Sequence, residues 1–289
     1  MERMRTMLFC PASKPKMYIN APIFKPDCIL FDLEDSVVYD EKDSARDLLC
    51  TAMKMLDFGD SRICVRINSV RTELWKDDIH DIVAAGVRFV RLSSCESAED
   101  VKTLDAFLTA TEKEYGIEEG SVKIQCSIET AKGVMNARES VHASDRVISL
   151  SFGAEDYTRS MGTSRTKEGI ELTFARTYLP VVAAEAGISA IDTVWSYLED
   201  EEGFETETRH AKALGFTGKS CIHPSQLGIV HRCFEPSEEE IEHARKVIDA
   251  VNTMFGNGEG VFTIDGKMID EPVINRARRV LMMAGEGEQ

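Results

Sequence analysis

Short apolar runs recur along the chain at intervals that leave room for a helix between them, and each stops at polar or charged residues. They read MLFCPA (Met7 to Ala12), CILFDLED (Cys28 to Asp35), RICVRIN (Arg62 to Asn68) and FVRLSS (Phe89 to Ser94) in the first third. KIQCSIET (Lys123 to Thr130), VISLSFGAED (Val147 to Asp156), ISAIDTVW (Ile188 to Trp195) and GKSCIHP (Gly218 to Pro224) follow. A parallel strand is covered on both faces and is therefore apolar throughout, so charges placed where the runs stop point toward a shared mouth.

The intervening segments carry helical period. Ala45, Leu48, Leu49, Ala52, Met53 and Leu56 form one apolar stripe. Trp75, Ile79, Ile82 and Val83 form another, closed by Gly86. Ser97 with Asp100 predicts a capped start before Val101, Leu104 and Leu108, with Gly116 as the stop. A helix over 173–186 ends at Gly187 and is expected to kink at Pro180. Eight strands alternating with helices give a doubly wound sheet or a closed barrel. Polar residues at the ends of several different strands favour the barrel, and no G-x-G-x-x-G follows the first strand. The expected fold is thus α/β, a (β/α)8 TIM barrel over residues 1–234. Residues 235–289 read as a helix, hairpin and helix extension. Ser237 and Glu240 cap the first helix, Asp265-Gly266 turns the hairpin and Pro272 sits in the first turn of the second helix. This arm is expected to contact a neighbouring subunit.

A length of 289 residues suits one such barrel. Fifty acidic against 34 basic residues give a formal charge of -16, which opposes binding to nucleic acid or to an anionic membrane surface. Arg276, Arg278 and Arg279 form a local basic group that reads as a solvated helix face. No apolar stretch approaches the roughly 20 residues of a membrane span, and the first is too short for a signal peptide, so a cytoplasmic protein is expected. Five of the eight cysteines, Cys10, Cys28, Cys64, Cys126 and Cys221, lie inside apolar runs, and none has C-x-x-C spacing. They read as small hydrophobes in a reducing compartment.

The chemistry sits at the run ends. Glu129 and Asp156 close the fifth and sixth runs, and two carboxylates with open surroundings are how proteins usually hold Mg²⁺. The alternative is that Asp156 and Thr130 cap helices. Arg66, ending the third run, suits a substrate carboxylate or an ion pair with Glu34 or Asp35 on the neighbouring strand. The Asp32, Glu34 and Asp35 cluster demands a cation, and strand alternation places Asp32 and Glu34 on one face with Asp35 on the other. His223 reads as structural.

LFDLEDSV, VRIN, SIETAKGV, LSFGAEDY, GFTGKSCIHPSQ and GKMID together resemble the citrate lyase β-subunit family of barrel lyases, from about Arg5 to about Ala284. The resemblance implies a Mg²⁺-dependent carbon–carbon lyase that assembles into a homo-oligomer, a trimer or hexamer. It implies metal binding by Glu129 and Asp156, substrate binding by Arg66 and Glu129, and support of Arg66 and the metal waters by Glu34 and Asp35. Asp270, in GKMID, matches an aspartate that reaches an adjacent protomer's site. Two departures stand out: Ser93-Ser94 where many relatives have Pro-Lys, and Pro11-Ala12 where many have Pro-Gly.

The implied reaction cleaves a citryl group, carried as a phosphopantetheine thioester on acyl carrier protein or CoA, into oxaloacetate and an acetyl thioester. Acyl carrier protein and a transferase subunit are the expected partners. The alternatives are a free-standing citramalyl-CoA or malyl-CoA lyase and a barrel that binds without turnover.

Overall fold

A computed structural model describes residues 4–254, 262–264, 267–284 and 286. The chain forms two compact units, Met1–His231 and Arg232–Gln289. In the first, β1 (Thr6–Pro11), β2 (Cys28–Asp32), β3 (Arg62–Ile67), β4 (Phe89–Leu92), β5 (Lys123–Ile128), β6 (Val147–Phe152), β7 (Ser189–Asp192) and β8 (Gly218–Cys221) pair in sequence order. All pairs are parallel, and β8 closes on β1 through Thr6↔Lys219, Met7↔Ser220 and Leu8↔Cys221. The expected closed (β/α)8 barrel is the fold.

Helix α1 (Pro15–Asn20) follows β1, α2 (Lys42–Met55) follows β2, α3 (Trp75–Ala84) follows β3 and α4 (Ala98–Glu114) follows β4. After β5 come α5 (Ala131–Met135) and α6 (Ala137–Val141), and after β6 come α7 (Ala154–Met161) and α8 (Thr173–Ala186). Helix α9 (Glu201–Leu214) precedes β8 and α10 (Ser225–Phe234) follows it. The Ser97 hydroxyl accepts from the Asp100 amide at the start of α4, and Gly187, at φ 69°, ends α8. Helix α8 runs as a single element through Pro180. The cysteines are free, and all but Cys50 are buried.

The lumen is polar where a barrel of this kind is usually filled by branched aliphatics. Gln125 accepts from Arg91 at 2.5 Å and donates to Ser149 at 3.0 Å. Between β7, β8, α8 and α9 lies a buried ionic network. Lys219, fully buried, donates to Asp192 at 2.7 Å and pairs with Glu207 at 2.8 Å, while Arg176 donates to the same Asp192 oxygen at 2.7 Å. Burial alone would raise the Asp192 carboxyl, but Lys219 and Arg176 outweigh it and pull it down.

Before β2, Asp27 accepts from the Arg5 guanidinium at 2.9 and 2.8 Å, and His231 lies 3.6 Å away. Burial opposes ionisation here, yet the bonds from Arg5 and His231 hold the carboxyl well below its ordinary range. A carboxyl depressed by folding adds stability above its unfolded pKa, near about 3.9, and that stability is lost as pH falls. The thermal midpoint is therefore expected to drop below about pH 4. Asp27→Asn flattens that drop and costs about 2–4 kcal/mol at neutral pH. An acid profile unchanged in the variant would remove Asp27 from the account.

The second unit contains α11 (Glu238–Met254), β9 (Phe262–Ile264), β10 (Lys267–Ile269) and α12 (Glu271–Met283). Ser237 and Glu240 exchange the two bonds of a full capping box. Ala244, Val247, Val251, Ile269, Ile274 and Ala277 form its core. Strands β9 and β10 pair antiparallel as the hairpin expected, with the Asp265-Gly266 turn outside the described residues. Arg276 and Arg278 are exposed, and the Arg279 side chain also lies outside the described residues. Among the described residues no helix is long and apolar enough to cross a membrane.

Candidate active site at the strand ends

A cavity of about 210 Å³ opens at the carboxyl ends of the strands, lined by Phe9, Arg66, Arg91, Ser127, Glu129 and Asp156 among others. A larger hollow of about 510 Å³ lies outside the barrel between α8 and α9, where no strand-end carboxylates converge.

Glu129 directly follows β5 and is 3% exposed. One carboxylate oxygen accepts from the Ser94 amide at 2.6 Å and the Ser94 hydroxyl at 3.0 Å, and the other accepts from Ser127 at 2.8 Å. Ser94 aims its amide there because its backbone is left-handed, at φ 48°, a conformation uncommon outside glycine. Burial raises the Glu129 carboxyl, the nearby Asp156 charge adds to this, and Arg66, Ser127 and Ser94 oppose it. Gly153 packs against it so closely that a Cβ there would lie 2.6 Å from Glu129 Cβ and 2.8 Å from its carboxylate. The need for glycine is close approach, since the backbone at φ -105° is ordinary.

The sixth run does not extend as strand to Asp156. Strand β6 ends at Phe152, and Asp156 occupies the first turn of α7, where the helix amides favour a carboxylate. The cap position is Gly153, with no side-chain cap, and among the described residues the Asp156 carboxylate pairs with the 82% exposed Arg159, at 2.8 Å. Thr130, by contrast, caps α5 through the Gly133 amide.

Arg66 is more heavily neutralised than its spacing suggested. Its Nε and Nη2 donate to the two oxygens of Asp32 at 2.6 and 2.7 Å, while Nη1 lies 2.9 Å from Glu34 and 3.3 Å from Asp35. The alternation expected for the three acids fails because β2 stops at Asp32. That residue instead closes a turn, accepting from the Glu34 and Ser36 amides at 2.9 and 3.1 Å, so Asp35 swings back toward Arg66. Burial opposes charge on Asp32, but Arg66 prevails and brings its pKa to about 2. Burial pushes Glu34 up to about 8, with Arg66 opposing and Glu129, Asp35 and Asp32 adding to the rise. Glu34 Oε2 sits near Arg66 without an aligned donor, a buried carboxylate oxygen left unsatisfied.

Glu34, Asp35, Arg66, Glu129 and Asp156 thus gather at one mouth. Asp270 belongs to the second unit, where its carboxylate accepts from the Val273 amide at 3.2 Å and caps α12. His223 is exposed and bonded to Ser225 at 2.8 Å, a local turn contact. Sequence reasoning passed over Asp32 as the main partner of Arg66, and Ser94 and Ser127 as anchors of Glu129. It took Arg91-Leu92, before the end of the fourth run, only as a mark of resemblance to the citrate lyase subunit and gave Arg91 no role in the site.

Among the described residues no three His, Cys, Asp or Glu side chains form a ready-made metal cage. The arrangement nevertheless fits Mg²⁺, which keeps several waters and takes one or two protein carboxylates. Glu129 is anchored and shares the cavity with Asp156, Glu34 retains an unsatisfied oxygen, and the local acids outnumber the guanidiniums.

Residues 5–224 match the HpcH/HpaI aldolase/citrate lyase family. The chain is 44% identical to citrate lyase subunit beta of Leuconostoc mesenteroides subsp. cremoris, over 97% of this chain and 93% of that one. It is 31% identical to mitochondrial citramalyl-CoA lyase of Rattus norvegicus, over 97% of this chain and 86% of that one. Among solved structures, protein CitE from Mycobacterium tuberculosis in complex with magnesium, acetoacetate and coenzyme A superposes with a TM-score of 0.81 at 31% identity, covering 98% and 99% of the two chains. A closed barrel that gathers acids and an arginine at its strand ends, matched over nearly its whole length, places this chain in the HpcH/HpaI aldolase/citrate lyase family.

Proposed function

We propose that the chain is a carbon–carbon lyase that cleaves a citryl thioester to oxaloacetate and an acetyl thioester, as a citrate lyase β-subunit. The observation that carries this reading is that Glu129 and Asp156, distant in sequence, line one cavity beside Arg66. The 44% identity to a citrate lyase subunit beta, against 31% to a citramalyl-CoA lyase, favours citryl over citramalyl.

Glu129 and Asp156 would hold Mg²⁺, which when bound acts as a Lewis acid on a carboxylate and on the oxygen that becomes the ketone. Ser94 and Ser127 keep the Glu129 carboxylate in one orientation. Asp32 clamps one edge of Arg66, so that Nη1, already paired with Glu34 and Asp35, is the end of the guanidinium that would also meet substrate oxygen. Glu34 and Asp35 flank that end and orient it. Cleavage takes the proton from the tertiary hydroxyl, converts that carbon to a ketone as the carbon–carbon bond breaks, and leaves the thioester fragment as an enolate that is protonated on carbon. Asp270, delivered by the C-terminal arm of a neighbouring copy in a homo-oligomer, is the candidate for proton transfer. The acyl group arrives on a phosphopantetheine thioester, CoA or acyl carrier protein, with a transferase subunit as the further partner.

Assay of purified protein with Mg²⁺ against citryl, citramalyl and malyl thioesters, on CoA and on acyl carrier protein, tests this. Citryl thioesters are expected to give the highest kcat/KM. A preference for citramalyl-CoA or malyl-CoA would replace the substrate, and absence of turnover together with absence of Mg²⁺ binding would reduce the chain to a binding barrel.

A further inference from the structure

Arg91 stands on β4 inside an apolar run, beside Arg66 in the strand register. Both guanidiniums lie over the Phe9 ring, at 5.2 and 5.3 Å, and both line the strand-end cavity. Their electrostatic situations are opposite. Asp32, Glu34 and Asp35 all serve Arg66. Arg91, 3% exposed, donates only to neutral groups, Gln125 at 2.5 Å and the Met7 sulfur at 3.3 Å, and forms no ion pair among the described residues. A buried guanidinium without a counter-charge is costly to maintain. Its placement on the wall of a cavity means that the missing anion can come from whatever fills that cavity.

We infer that Arg91 is the specificity-determining residue that receives the second carboxylate of the oxo-acid portion of the substrate. The inference rests on the citryl lyase reading and deepens it. The oxo-acid released from a citryl thioester carries two carboxylates. One adjoins the carbonyl, where the metal site acts, and the other needs a cation of its own. Arg66 is largely spent on three acids of the protein, and Arg91 is not. The oxo-acid from a citramalyl thioester, pyruvate, lacks that second carboxylate and leaves Arg91 unpaired. Bidentate geometry suits a guanidinium for this task better than an ammonium.

The test is calorimetric titration, with Mg²⁺ present, of freshly prepared oxaloacetate and of pyruvate into the wild type, Arg91→Met and Arg91→Lys. Wild type is expected to bind oxaloacetate more tightly. Arg91→Met is expected to lose about 100-fold in affinity for oxaloacetate and less than about threefold for pyruvate. Its thermal midpoint should be unchanged or raised, since a buried unpaired charge has been removed. Should that variant fail to fold, Arg91→Lys, which keeps the charge, is expected to show a selective loss of about tenfold. Equal losses for both acids, or none, overturn the inference, as does wild-type protein that binds pyruvate as tightly as oxaloacetate. Wild-type protein that binds neither acid overturns the lyase reading itself, and the role of Arg91 falls with it.

Discussion

Asp156→Ala is expected to reduce thioester cleavage by about 10³-fold or more while the protein folds normally. The carboxylate is partly exposed in the first turn of a short helix and pairs with an exposed arginine, so the barrel does not depend on it. On the proposed reading, its loss leaves Glu129 alone to hold the divalent cation. Lewis-acid stabilisation is worth several kcal/mol, and about 4 kcal/mol corresponds to a factor of about 10³. Glu129→Gln is expected to act in the same direction, because the amide keeps the shape but cannot accept from Ser94 and Ser127 while also serving a cation. Turnover at saturating substrate, with calorimetric titration of Mg²⁺, checks both variants. Unchanged turnover and Mg²⁺ affinity in Asp156→Ala would remove that residue from the mechanism.

Asp192→Ala carries the largest expected cost to folding, about 3–5 kcal/mol. Asp192 is fully buried and is bonded to both Lys219 and Arg176, so its removal leaves two buried cations to share Glu207. The penalty comes mainly from stranded charge and only secondarily from a lost bond. Pairing the change with Lys219→Met, which removes one of the stranded cations, is therefore expected to recover a substantial part of the stability. Denaturant unfolding measures both, and an Asp192→Ala midpoint equal to wild type would show that the network contributes nothing.

What the chain announces and what it conceals follow from period and register. Each apolar run of strand length became a strand because an unbroken hydrophobic stretch bounded by polar residues fits a strand covered on both faces. The runs overshoot where a local turn or helix start stops the ladder. Asp32 ends β2 by bonding to amides two and four residues ahead, and Gly153 ends β6 by opening a helix. Those local endings explain why the face assignment of Glu34 and Asp35 failed while Glu129 and Asp156 still came together. Partner choice was less legible. Asp32 and Arg66 are opposite each other in the β2–β3 register, which spacing alone does not reveal. Nothing in the letters around Ser94 announces a left-handed backbone. Asp270, known only through resemblance, caps the start of α12 in the second unit.

The hold of Ser94 on Glu129 runs chiefly through a main-chain amide, with the hydroxyl as the longer of two contacts. Any residue able to adopt that left-handed turn retains the shorter contact, whatever its side chain. A change of side chain at position 94 therefore alters the rim without dismantling the clamp beneath it. The rim can thus change in shape and charge while the carboxylate below stays secured by backbone.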